Sequence, residues 1–230
     1  MISLKIELSK EKFENIDVAF DKLLENRSDS ASIKSIERSL KSIFPDKKIS
    51  VAVVENKIKS NFFIMSVYPD QKTIDTVIKA IVDNKDNDYI REIWNGSDTW
   101  HIEIDSKILD NSIVRVTSKE LTALLLHELG HIVYSNSIPQ RISRVMKLEF
   151  ARAGVNIKAA MKHDVFSQVL EIPILLACQF DNYKTSNNIK KELKADVFVV
   201  KMGYIDELDR ILTKIIASSD YKKNLDINKS

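Results

Sequence analysis

Apolar positions recur along this chain with two periods, and the switch between them marks the expected elements. Between Lys10 and Leu24, the apolar positions Phe13, Ile16, Val18, Ala19, Phe20, Leu23 and Leu24 have helical spacing. Ile33, Ile36, Leu40, Ile43 and Phe44 repeat that spacing up to Pro45, whose ring cannot enter a helix interior. Ile74, Val77, Ile78 and Ile81 predict a third helix over 73–82. Strand patterns interrupt these helices. Ser3–Leu8 alternates, and Lys48–Val54 and Asn61–Val67 are β-branched or aromatic between polar turns; the latter two are expected to pair as a hairpin. Tyr68-Pro69-Asp70 reads as a turn, Asn84–Asp88 as a charged loop and Asn95–Asp98 as another turn. Trp100–Ile104 then alternates as a strand, with further extended structure expected over Lys107–Val116.

Helical spacing dominates from there on. Leu121–Tyr134 is one helix, and a long helical region beginning at Pro139 runs to Phe180, with breaks expected near Gly154 and Pro173. Lys190–Met202 is a helix closed by Gly203, Ile205–Ala217 is the last helix, and 218–230 is a polar, flexible tail. The pattern predicts an α+β chain, mostly helical, with a small sheet ahead of the 121–134 helix. Residues 1–99 hold helices and a hairpin, inside the same domain or beside it, and 100–217 form the main domain.

Composition narrows the classes. The chain has 230 residues, 44% hydrophobic and 30% charged, enough apolar surface for a sizeable core. The net charge is only +2 and the charges are interspersed, which speaks against a nucleic-acid surface. The first residues lack the apolar core of a signal peptide. The longest apolar run, Val169–Phe180, is broken by Glu171 and Pro173 and is too short to span a bilayer. A soluble protein, cytoplasmic or otherwise intracellular, with no membrane partner is expected. The single cysteine, Cys178, cannot form an internal disulfide and sits in an apolar run.

Candidate chemistry centres on LTALLLHELGHIVY, residues 121–134. His127 and His131 are four apart, so a helix puts both imidazoles on one face, within reach of one metal ion. Glu128 follows the first histidine and can reach a water held there, the His-Glu-x-x-His pattern of zinc hydrolases. Thr117 and Glu120 form a capping-box signature at the start of this helix. Trp100–Ile104 is a candidate for the exposed edge strand on which an extended substrate could lie beside the metal, and equally for an ordinary sheet strand.

A catalytic site needs a third protein ligand, and IVYSNSIPQR after His131 supplies none. Glu192 is the best candidate. Asp196, four residues further along the same helix, can accept a hydrogen bond from a ligating histidine, and Ala195 is small enough for two helices to approach closely. Glu171 is the runner-up, a carboxylate within an apolar run that needs a partner; His163 and His101 are weaker alternatives.

HELGH followed about sixty positions later by ELKADVFVVKMGY resembles the gluzincin metallopeptidases, the group that includes the CaaX prenyl protease and HtpX-like enzymes. Glu192, Ala195, Asp196, Phe198 and Gly203 match the second segment, and the resemblance covers about residues 117–215. It implies a zincin-like fold, Zn2+ held by His127, His131 and Glu192, Glu128 as general base and a polypeptide substrate. The membrane helices of many such enzymes, and the His-Pro and Arg elements after the third ligand, have no counterpart here. The oxyanion stabiliser is therefore open among Tyr204, His163 and Tyr134. Peptide deformylase also carries this motif, but its metal-binding cysteine has no equivalent. The reading is a zinc-dependent endopeptidase. The alternative is a catalytically inactive relative with a structural or assembly role, bound to a protein partner within a larger particle. A further expectation is latency imposed by the N-terminal segment, relieved by deleting residues 1 to about 45, a boundary set by the helix-ending proline.

Overall fold

In a computed structural model, residues 11–55, 65–83, 85–110, 114–133 and 186–217 are described. The two N-terminal apolar stripes become α1 (Glu11–Glu25) and α2 (Ser30–Ile43), which pack against each other. Asp29 caps α2 by accepting from the Ala31 N–H. Three strands follow, β1 (Lys48–Val54), β2 (Met65–Pro69) and β3 (Thr99–Asp105), in the spatial order β1-β3-β2. β3 runs parallel to β1 and antiparallel to β2, with Ile102 opposite both Val51 and Val67.

That order decides one sequence expectation and corrects another. Trp100–Ile104, a candidate for an edge strand and equally for an ordinary sheet strand, is the central strand, and β1 and β2 do not pair as a hairpin because β3 lies between them. The reason is burial. Trp100, Ile102 and Ile104 are 5%, 1% and 0% exposed, and a strand that deep needs neighbours on both sides to satisfy its backbone donors and acceptors. The parallel β1–β3 pair also requires a long crossover. Between β2 and β3 the chain forms α3 (Gln71–Val82) and α4 (Asn87–Gly96). α4 replaces the expected loop and turn. Asp86 caps it at the Tyr89 N–H, and Ile90 and Trp94 pack on Val77 and Ala80 of α3 in a small satellite core. Extended structure after β3 is replaced by a short helix, α5 (Ser106–Leu109), capped by Asp105 and burying Ile108 and Leu109.

The organising element is α6 (Ser118–Val133). The capping box forms at its start: Thr117 N–H donates to Glu120 Oε2 at 2.9 Å, and Glu120 N–H donates to Thr117 Oγ1 at 3.3 Å. Glu120 is 1% exposed and also accepts from Lys214 Nζ at 2.7 and 2.8 Å. Lys214 lies on α8 (Ile205–Ala217), joined to α7 (Ser186–Lys201) by a tight turn. Gly203 makes that turn with φ 75°, a left-handed conformation that glycine adopts without a Cβ clash. α1, α7, α8 and β2 all pack on α6, and one apolar core runs from Phe13 through Ile102 and Leu125 to Ile211. Residues on both sides of position 99 thus share one sheet and one core.

The described architecture is α+β, mostly helical, with a three-stranded sheet ahead of α6. Among the described residues no helix is long and apolar enough to cross a membrane. The strand expected over 3–8, the helices expected over 139–180 and the tail 218–230 lie outside the described residues.

Candidate metal centre

α6 and α7 bring the chemistry together. His127 and His131 lie one turn apart on α6, and Glu192 and Asp196 lie one turn apart on α7. The helices cross where Gly130 meets Ala195, so both pairs of side chains point into one gap. His127 Nε2 and His131 Nε2 are 3.1 Å apart, and Glu192 Oε2 is 3.2 Å from each. Among the described residues this is the group of His, Cys, Asp and Glu able to hold a metal ion.

The triangle suits an ion in size and chemistry. Ligand atoms bonded at about 2.0–2.1 Å to a tetrahedral ion lie about 3.3 Å from one another, close to the 3.1–3.2 Å edges here. Two imidazole nitrogens and one carboxylate oxygen favour a transition ion over calcium or magnesium, which prefer all-oxygen sets. His127 Nδ1 lies 2.9 Å from Asp196 Oδ1. The carboxylate accepts, so Nδ1 carries the proton and Nε2 is turned to the triangle, the arrangement in which a histidine can offer Nε2 to a metal ion.

Electrostatics agree with that arrangement. Burial disfavours a charged His127, but hydrogen bonds to Asp196 and Glu192 outweigh it and raise its pKa from 6.5 to about 9. Burial works against an ionised Glu192, yet hydrogen bonds from His127 and His131 hold its carboxyl well below the usual range. A proton on His127 thus faces the Glu192 carboxylate across the gap. The side chains of His127 and His131 are 14% and 6% exposed, whereas that of Glu192 is 54% exposed. The carboxylate side is therefore the side open to solvent.

Glu128 is half-buried beside His127 and adds to the negative field on it. Tyr204, expected as an oxyanion stabiliser, is corrected by its surroundings. It is 0% exposed, and its hydroxyl donates to Asp17 Oδ2 of α1 at 2.8 Å, so it does not meet a substrate entering from solvent. His101 is on β3 with Nδ1 2.6 Å from Ser50 Oγ and takes no part in the histidine–carboxylate group. Tyr134, His163 and Glu171 lie outside the described residues.

Sequence reading missed what Gly130 does. The available signal was its position between the two histidines, three residues after His127 and on the same helical face, opposite a small Ala195. The buried Asp17 on α1 was missed too; it is a lone acid within an otherwise apolar stripe, Ile16 to Phe20. Compared with protein-family models, curated proteins and solved structures, the chain matches none.

Proposed function

We propose that this protein is a zinc-dependent endopeptidase with a zincin-like core. One observation carries the reading: two imidazole nitrogens and a carboxylate oxygen converge within 3.2 Å of one another, with Asp196 orienting His127 from behind. The mixed nitrogen and oxygen donors, and a triangle close to the spacing of ligands on a tetrahedral ion, support zinc. When bound, the ion supplies Lewis-acid polarisation of a carbonyl and lowers the pKa of water. His127, His131 and Glu192 would hold it, and Asp196 keeps the His127 proton on Nδ1. Glu128 takes the proton from the attacking water and delivers it to the leaving amine. The substrate class, a polypeptide, rests on the same motif.

The decisive experiment measures bound zinc by elemental analysis and follows cleavage of an unstructured protein. Wild type and Glu128→Gln are expected to hold equal zinc, with the variant losing at least about a hundredfold in rate, the usual size of a lost general base. A second reading is supported by the withdrawal of Tyr204 into the core, which leaves the described site with ligands and a base and no assigned oxyanion donor. On that reading the protein keeps the metal and serves as a structural or assembly component bound to another protein. Zinc-loaded wild type that cleaves nothing in a broad peptide library selects it.

A further inference from the structure

α6 and α7 approach most closely at a single point. A methyl group placed on Gly130 would lie 2.7 Å from the Ala195 carbonyl oxygen, 3.0 Å from Ala195 Cα and 3.0 Å from Phe198 Cβ. Two of these atoms are backbone and the third is fixed to it, so no side-chain rotation relieves the contact. Ala195 and Phe198 are 0% and 3% exposed, leaving no slack around the crossing. Gly96, by contrast, has nothing within 4 Å of the same position.

The crossing lies within the site. Ala195 sits three residues after Glu192 and one before Asp196, while Gly130 stands between His127 and His131. All the contacts between the imidazole pair and the two carboxylates, 2.9–3.2 Å long, therefore depend on one interhelix gap. Restoring an ordinary contact of about 3.4 Å at Gly130 would move the helices apart by about 0.7 Å. Carried to the site, that shift takes Glu192 Oε2 to about 3.9 Å from both Nε2 atoms, well beyond the about 3.3 Å that separates ligands of a tetrahedral ion with bonds of about 2.0–2.1 Å. Glu192 has torsions with which to recover part of it. Asp196, one bond shorter, has fewer.

We infer that the Gly130–Ala195 contact is the positioning element of the metal centre, setting the imidazole–carboxylate gap and with it the affinity and coordination geometry of the bound ion. This rests on the metal-binding reading given above. Gly130 touches no ion. It acts through the placement of α7.

The test uses the full chain as wild type, Gly130→Ala, Ala195→Val and, as a control, Gly96→Ala. Zinc affinity is measured by competition with a chromogenic chelator, the visible spectrum is recorded with cobalt in place of zinc, and thermal unfolding is followed without metal. Gly130→Ala and Ala195→Val are expected to unfold cooperatively while losing about 10–100-fold in zinc affinity, the range seen when ligand orientation is disturbed. They should also lose the intense visible bands of four-coordinate cobalt. Gly96→Ala should match wild type in both. Alanine is a better helix former than glycine, so weakening of α6 does not account for such a loss. Wild-type affinity and cobalt spectrum in either folded variant overturn the positioning role while leaving the metal reading intact. A wild type that binds neither zinc nor cobalt overturns both.

Discussion

Metal binding should be coupled to the loss of a proton from His127, by an amount the geometry sets. The Asp196 bond at 2.9 Å and the Glu192 contact at 3.2 Å, working against burial, hold this imidazole protonated up to about pH 9 in the metal-free protein. An incoming ion must take the Nε2 lone pair, so at pH 7 it displaces a proton held about two pH units above ambient. That costs about 3 kcal/mol, or about a hundredfold in apparent affinity relative to pH well above 9. Apparent affinity should therefore rise about tenfold per pH unit between 7 and 8.5. Titration calorimetry at pH 7 in buffers of different ionisation enthalpy should register about one proton released from this residue per ion. The metal-free fold should show the opposite trend. The folded pKa of His127 is raised, so its contribution is fully present below 6.5 and is lost as pH rises through about 9. The loss is about 3 kcal/mol at most. Asp196→Asn should flatten both trends. A buffer-independent binding enthalpy at pH 7, or an affinity that does not change from pH 7 to 8.5, would refute the coupling.

Three further outcomes follow from the packing around α6. Lys214→Ala should cost about 3 kcal/mol in urea unfolding, more than Glu120→Ala, because it leaves a carboxylate that is 1% exposed with only the Thr117 N–H and a distant Arg210 at 3.9 Å, whereas the lysine side chain is 39% exposed and can turn to water; equal costs would contradict this. Burial raises the Asp17 pKa, so its share of stability is present below the ordinary carboxylate value and lost as pH rises through the raised one. Thr122 faces the Asp17 carboxyl, but Asp17 Oδ1 and Thr122 Oγ1 are both buried and their contact falls short of a well-formed hydrogen bond. Asp17→Asn, which can donate to Thr122 and accept from Tyr204, should be more stable than wild type at pH 7, with the advantage shrinking toward pH 3; a pH-independent difference would exclude the buried-acid account. Deleting residues 1–45 should unfold the protein rather than release a latent activity. It removes Phe13, Ile16, Phe20 and Leu23, each 0% exposed and each contributing about 1.5–3 kcal/mol of burial, against a total stability of about 5–15 kcal/mol. A cooperative melt from the truncated chain would reverse that conclusion.

The sequence by itself determined the parts governed by local rules. Helical spacing located α1, α2, α3, α6 and α8, because an apolar stripe at that period has to face a core. Thr117 and Glu120 announced the start of α6, because their side chains bond backbone donors three residues away. His127 and His131 were legible as a pair because four residues is one turn, and the same rule put Glu192 and Asp196 on one face of α7. Only the tertiary structure decided how these pieces meet. The sheet order places Trp100–Ile104 at the centre because burial on both flanks is a property of the assembled core, and alternation along one strand does not encode it. α4 escaped reading because its short apolar face, Ile90 and Trp94, follows a charged run and packs on a helix rather than on the main core. Tyr204 looked available in sequence and was taken by Asp17, 187 residues away. The gap between His127 and Glu192 is likewise a matter of tertiary contact. It depends on how far two helices can approach, and that limit is set where Gly130, lacking a side chain, rests on the backbone of Ala195.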